Sequence, residues 1–162
     1  MKKLFIIGIA TCIVGFIVSC GNQNSTPVTQ STENSADADK PANGNPSYDP
    51  HRGEGKFTKV EISPSLNAAM AELGDKVYNV KCSGCHKLTD EKLVGPGWKG
   101  ITTKFTPEWI MNFITNTDVM LDKDPQAQAQ LEICLVRMPN QNLTDEDARA
   151  LYELQRKNDG VK

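Results

Sequence analysis

Hydrophobic and polar positions divide the chain into three stretches. Residues 4–18, LFIIGIATCIVGFIV, are apolar and uncharged and follow the basic start MKK. From Gly21 to about Pro50, Asn, Ser, Thr, Gly, Pro and acidic residues leave almost no large apolar side chain. Such a segment cannot bury enough surface to offset its ordering entropy. From about residue 55 to 158 apolar positions recur at helical spacing, with no convincing strand alternation. Leu66, Ala69, Met70, Leu73, Val77, Tyr78 and Val80 predict a helix over 65–81, started by Ser63-Pro64. Thr106-Pro107 opens a second helix with Trp109, Ile110, Phe113 and Ile114 on its apolar side, Thr as cap and Pro in the first turn. Asp124-Pro125 repeats the device before QAQAQLEICLVR. Thr144 caps a last helix, DEDARALYELQRK, acidic at its start and basic at its end as the helix dipole favours, and NDG stops it.

Composition allows one small domain with appendages: 162 residues, a net charge of −2 and 6% aromatics. Nothing is basic enough to suggest a nucleic-acid partner. The basic start and apolar run read as a signal peptide over 1–19. An uncleaved anchor is disfavoured, because about 15 apolar residues fall short of the roughly 20 that span a bilayer. Ile17, Val18, Ser19 and Cys20 resemble the lipobox of a bacterial lipoprotein signal, which implies a lipid on Cys20. Cys12 lies within the removed segment. Residues 20–54 then form a lipidated, disordered tether of roughly 30 Å typical span, and residues 55–162 the folded domain.

Within that domain the stretch VKCSGCHKL at 80–88 sets Cys82, Cys85 and His86 at a spacing open to zinc, a redox disulfide or haem. Structural zinc wants four ligands, and outside this trio the mature domain offers only Cys134 and His51. A thioredoxin-like motif expects a βαβ pattern, which the sequence lacks. Cys-x-x-Cys-His is the attachment signature of c-type haem: two thioethers fix the porphyrin and hold the adjacent histidine at one face of the iron. Export suits this chemistry. The second axial ligand then has five candidates, Met70, Met111, Met120, Met138 and His51. Met70 is too close to the motif to reach the other face easily, Met111 has core spacing, and His51 reads as a surface histidine. Met120 sits in TNTDVMLDKD, read as a loop between helices, and is the rival of Met138 in VRMPNQNLTDED.

Over residues 68–156 the chain resembles class I cytochromes c. Gly74 and Tyr78 match the small and aromatic positions of the family's first helix, which crosses the last helix near Leu151 and Tyr152. Gly95-Pro96 matches the Gly-Pro whose proline carbonyl receives the proton of the proximal histidine. Met138-Pro139 matches the Met-Pro that supplies the distal sulfur. The resemblance implies an all-α fold of about four to five short helices around one covalent haem, with Cys82 and Cys85 as thioethers, Pro96 on the histidine, and His86 and Met138 on the iron.

A thioether opposite the histidine favours ferrous iron, and two protein ligands leave little room for substrate. An electron carrier rather than an enzyme is expected, since no acidic pair, nucleophile with base, or second metal cluster stands out. A haem enzyme or gas sensor with a labile sixth ligand is the alternative. Trp98, Trp109, Phe105, Phe113, Leu93, Val94 and Ile101 are read as haem or core packing, and Cys134 as a buried free thiol. Lys76, Lys81, Lys87, Lys92, Lys99 and Lys104 cluster in the haem-bearing half, where they either steer an acidic redox partner or, interrupted by Asp75, Asp90 and Glu91, form ordinary solvated surface. CHKLTDEKLVGPGWKGIT, PEWIMNFITNTDVMLDKDP and CLVRMPNQNLTDEDAR resemble lipoprotein monohaem cytochromes c found beside periplasmic nitrous-oxide reductases in Bacteroidetes-type bacteria. That implies a periplasmic haem domain, lipid-anchored to a membrane, relaying electrons from quinol oxidation to a terminal reductase in denitrification.

Overall fold

The structure, a computed structural model, describes residues 48–162. The expected signal peptide, Cys12, Cys20 and the tether up to residue 47 lie outside the described residues. Within them the chain forms six helices and no strand: α1 (Ala68–Lys81), α2 (Ile101–Lys104), α3 (Pro107–Thr115), α4 (Thr117–Lys123), α5 (Pro125–Cys134) and α6 (Asp145–Asn158). None of them is long and apolar enough to cross a membrane.

Capping chemistry sets most of the boundaries. Thr106 Oγ1 accepts from the Trp109 N–H at 3.1 Å at the start of α3, and Asp124 Oδ1 from the Ala127 N–H at 2.8 Å at the start of α5. Thr144 and Asp147 form a reciprocal capping box on α6. The first helix departs from expectation. Its cap is Asn67, whose Oδ1 accepts from the Met70 N–H at 3.1 Å. Ser63 and Pro64 lie outside it because their carbonyls are taken by Arg156 Nη2, at 2.7 and 3.2 Å. Two short helices, α2 and α4, bring the number above the expected four to five, and α4 contains Met120, which the sequence placed in a loop.

The two long helices meet in a close crossing of α1 and α6, as the resemblance implied. Gly74 lies fully against α6: a Cβ there would stand 2.1 Å from the Ala150 carbonyl oxygen and 3.0 Å from Leu154 Cβ. A glycine at this point lets the backbones touch. Beside the crossing, Glu153 is 0% exposed. Its carboxylate receives Arg149 at 2.6 Å, Arg156 at 2.8 and 2.9 Å, and the Asn67 N–H at 3.2 Å.

The packed body begins earlier than the expected boundary at residue 55. Tyr48 is 5% exposed, and its hydroxyl donates to the buried Asp124 carboxylate. Asn112 holds the following strap, accepting from the Phe57 N–H at 2.9 Å and donating to the Arg52 and Phe57 carbonyls, each at 2.9 Å. Polar side chains of α3 and α5 thus bind a segment whose own composition gives no sign of packing.

Candidate functional site

Helix α1 ends at the motif. The Cys82 and Ser83 N–H groups both donate to the Tyr78 carbonyl at 2.9 Å, and the Cys85 and His86 N–H groups to the Cys82 carbonyl at 3.0 and 2.9 Å. This tight turn sets the two cysteines and the histidine on consecutive turns of chain. Tyr78 Oη then donates to the His86 carbonyl at 2.6 Å, so the aromatic position of α1 clamps the motif it leads into.

His86 is oriented from three sides. Its Nδ1 donates to the Pro96 carbonyl at 2.9 Å, which leaves the Nε2 lone pair for a metal. Gly95 lies so close to the ring that a Cβ would stand 2.3 Å from Cε1. The Trp98 ring is centred 5.4 Å away. Burial holds the imidazole pKa below its usual range, opposed by the Pro96 hydrogen bond. Burial also pushes the Cys82 thiol up to about 11, partly countered by Lys81 and reinforced by Cys85. Neither cysteine of the motif is in a disulfide. Among the described residues no three His, Cys, Asp or Glu side chains are grouped to hold a metal ion.

Cys85 and His86 open onto a cavity of about 820 Å³, its mouth included, whose walls come from α3, α5, α6 and the loops 94–98 and 136–139. Trp98, Trp109 and Phe113 are among its apolar lining. Met138 lines the same cavity. Its loop is pinned at both ends: Arg137 pairs with Asp122 at 2.8 Å, and Lys81 Nζ donates to the Gln141 carbonyl at 3.1 Å. Met120 is not on this wall. It is 0% exposed, and its Sδ accepts from the Glu54 N–H at 3.0 Å beneath the strap. Met111 is buried in the core, Met70 is half-buried on α1, and His51 is exposed on the strap.

Several packing expectations change in detail. Val94 and Ile101 line the cavity, whereas Leu93 does not and is 48% exposed. Phe105 stacks on Trp109 at 4.0 Å from outside the lining. Cys134 is half-buried rather than buried, and it faces the cavity from the end of α5. Three of the clustered lysines are engaged within the chain: Lys81 as above, Lys87 with Glu91 at 2.6 Å, and Lys92 on the Ile133 carbonyl at 2.8 Å. Among the lining residues that were missed are two amides, Gln130 and Gln155, whose Nε2 and Oε1 are buried without partners. The spacing Leu151 to Gln155, one helical turn along the apolar face of α6, was the available signal.

The residues fit a large flat cofactor: an apolar slot, a histidine with one nitrogen committed and one available, adjacent thiols, and polar atoms awaiting partners. The cytochrome c family profile matches residues 71–154. The chain belongs to the cytochrome c family. Among solved structures it is similar to a cytochrome c from Rhodothermus marinus, with 30% identity over 65% of this chain and 90% of that one and a TM-score of 0.63. An engineered form of that protein is 28% identical over the same shares, with a TM-score of 0.62. The engineered form bound to a carbene intermediate gives 28% and 0.59. No curated protein matches the chain. Family membership brings one covalent haem c, a haem-based electron-transfer role and redox protein partners. The haem supplies a reversible one-electron change at iron. Pro96 fixes the tautomer of His86, Gly95 leaves room for the imidazole, and the apolar walls would hold the haem against His86.

Proposed function

We propose that the protein is a membrane-tethered monohaem electron carrier with His86 and Met138 as the axial ligands and Cys82 and Cys85 as the thioether anchors. The observation that carries this reading is the sharing of one apolar cavity by His86 and Met138, while the sulfur of Met120 is engaged with Glu54 elsewhere. A histidine whose Nδ1–H is held by a carbonyl is a good donor to iron, and a thioether opposite it favours the ferrous state. With both axial positions filled by side chains, electrons pass through the exposed edge rather than to a bound substrate. The signal-like start and Cys20 favour a lipid anchor, with the haem domain in the periplasm. The motif resemblance favours relay from a quinol-oxidising system to a terminal reductase, nitrous-oxide reductase being the acceptor it suggests.

The deciding experiment compares two methionine variants of the purified holoprotein. Oxidised wild type should show the weak absorption at the near-infrared edge that marks methionine sulfur on ferric haem. Met138→Ala should abolish this band. Met120→Ala should keep it while losing about 2–5 kcal/mol of stability, because it empties a buried site. Loss of the band in Met120→Ala alone, or rapid carbon monoxide binding by reduced wild type at neutral pH, would overturn the ligation. Fractionation in the same host tests the anchor: Cys20→Ala should move the protein from the membrane to the soluble periplasmic fraction. Reduced wild type should support turnover of a nitrous-oxide reductase, and failure to do so would remove that acceptor.

A further inference from the structure

A group of large apolar side chains stands exposed beside the cavity mouth. Leu135 is 84% and Ile133 68% exposed, and Leu93, Val94 and Val136 are exposed with them. Val94 and Val136 line the cavity, whereas Leu93, Ile133 and Leu135 lie outside its lining and so outside the space a cofactor fills. Two contacts draw the group together. Lys92 Nζ donates to the Ile133 carbonyl at 2.8 Å, which joins the 92–94 loop to the end of α5, and the Val94 N–H donates to the carbonyl of the exposed Cys85 at 3.2 Å. Leu135 carries a further mark. It ends α5 with a φ of 60°, in the left-handed region, where a bulky side chain is strained and glycine or asparagine closes a helix at little cost. A strained leucine whose side chain stands in solvent contributes little to folding at this position.

Resting on the electron-carrier reading, we infer that this apolar corner, with Leu135 and Ile133 as its most exposed members, is the face on which a redox protein docks, and that the partner presents an apolar, weakly charged face rather than an acidic one. Charge around the corner supports the choice. Arg137 is matched by Asp122 at 2.8 Å and Asp118 at 3.6 Å, and Lys87 by Glu91 at 2.6 Å. Lys92 keeps its charge on the Ile133 carbonyl, and Glu132, the neighbour of Ile133 in the chain, is exposed. Such a rim has no excess of positive charge with which to draw in an acidic surface. Size supports it too: a handful of side chains is far below the roughly 20–30 residues a side of a stable interface and suits a brief redox encounter. Contact here brings the partner up against Cys85 at the edge of the cavity, where one electron crosses with no bond made or broken.

The test is electron self-exchange between ferrous and ferric copies of the purified holoprotein, read from NMR line broadening in mixtures of the two. One copy then presents the corner to another, and no driving force enters. Leu135→Asn, which suits the left-handed backbone and makes the residue polar, should slow exchange by about tenfold, since each encounter loses two leucines from the contact. Ile133→Gln should slow it severalfold. Both variants should keep the methionine-to-iron band, and Leu135→Asn should melt no lower than wild type. Between about 0.01 and 0.15 M salt, where the screening length falls from about 30 to 8 Å, wild-type exchange should change by less than about twofold. An unchanged rate in either variant, or a rate that climbs steeply with salt as between mutually repelling lysine faces, overturns the inference. So does a lower melting temperature in Leu135→Asn, which would make the leucine a packing residue. A stable dimer in sedimentation would give the corner to a second copy, and binding of Cys20→Ala holoprotein to phosphatidylcholine vesicles that Leu135→Asn abolishes would give it to lipid; either result also overturns the inference. Failure of the underlying reading is separately visible, because wild type itself would then lack a reversible couple and have no exchange to measure.

Discussion

At the scale of single residues, the site is set by what lies beside His86. A Cβ on Gly95 would stand 2.3 Å from Cε1 of the ring, so any side chain there must displace either the loop or the imidazole. The neighbouring Pro96 carbonyl, 2.9 Å from Nδ1, ties both to one geometry. Gly95→Ala is therefore expected to cost about 1–3 kcal/mol, as overpacking of a close contact does, and to lower the haem content of purified protein. Haem absorbance per mole of chain and thermal unfolding measure the two effects; unchanged values in both would refute the constraint. The Cys-x-x-Cys-His motif and the Gly-Pro were legible because their chemistry is local. The residues around Met120 and Met138 left the distal ligand open, and only the resemblance singled out Met138. What separates them is the Glu54 N–H, 66 residues away from the sulfur it reaches, and a contact of that kind leaves no mark on the sequence around Met120. Gln155 was overlooked for a related reason: a polar residue within an apolar face is visible as a pattern, but its lack of a partner is a property of the folded wall.

At the scale of elements, helix starts governed by a side chain three residues away were readable, as at Thr106, Asp124 and Thr144. The start of α1 was misplaced because the Ser63 and Pro64 carbonyls answer to Arg156, more than ninety residues away. Arg156 in turn is paired with Glu153, and this cluster joins the start of α1 to α6. Burial alone would raise the Glu153 pKa, but Arg149, Arg156 and the Asn67 N–H outweigh it and hold the carboxyl below its ordinary value of 4.5. A group depressed in the folded state stabilises at pH above its unfolded value. That contribution is lost as pH falls through the lower folded value. Unfolding followed from neutral pH downward should therefore show wild-type stability declining below about pH 4.5. Glu153→Gln should be less stable at neutral pH by about 3 kcal/mol, since it leaves buried arginines without their counter-charge. Its decline in acid should be shallower. An equally steep acid loss in the variant would show that other carboxylates govern that range.

At the scale of the whole molecule, three lysines of the lysine-rich half also hold the chain together: Lys81 and Lys92 donate to backbone carbonyls and keep their charge, whereas Lys87 is offset by Glu91. They brace the frame into which the cofactor fits. That frame is completed at its other end by the strap from Tyr48, which polar contacts to Asn112 and Asp124 retain. The composition of residues 48–54 could not reveal this, since the apolar and polar partners it packs on all come from α3, α4 and α5. Between the frame and the strap the buried core of Ile110, Met111, Met120 and Leu151 borders an apolar cavity among α3, α5 and α6, about 820 Å³ with its open mouth included. Small domains bury a limited fraction of their surface, so a cofactor that fills the slot contributes to folding as well as to redox chemistry, through packing and axial contacts that only the native state makes while the thioethers keep it on the chain in both states. The Cys82→Ala/Cys85→Ala double variant, which removes both thioether anchors, is the direct test. Caps and the α1–α6 crossing do not depend on the cofactor, so far-ultraviolet circular dichroism should retain most of its helical signal. The aromatic lining formed by Trp98, Trp109 and Phe113 does depend on it, so the near-ultraviolet signal should collapse and the thermal transition broaden, the behaviour of a compact state without fixed packing. Hydrogen exchange should locate the loss in residues 86–98 and 134–143, with protection kept in α1 and α6. A sharp transition at the wild-type temperature with an intact aromatic signal would mean that the helices close the cavity unaided and that the haem is a passenger in the fold.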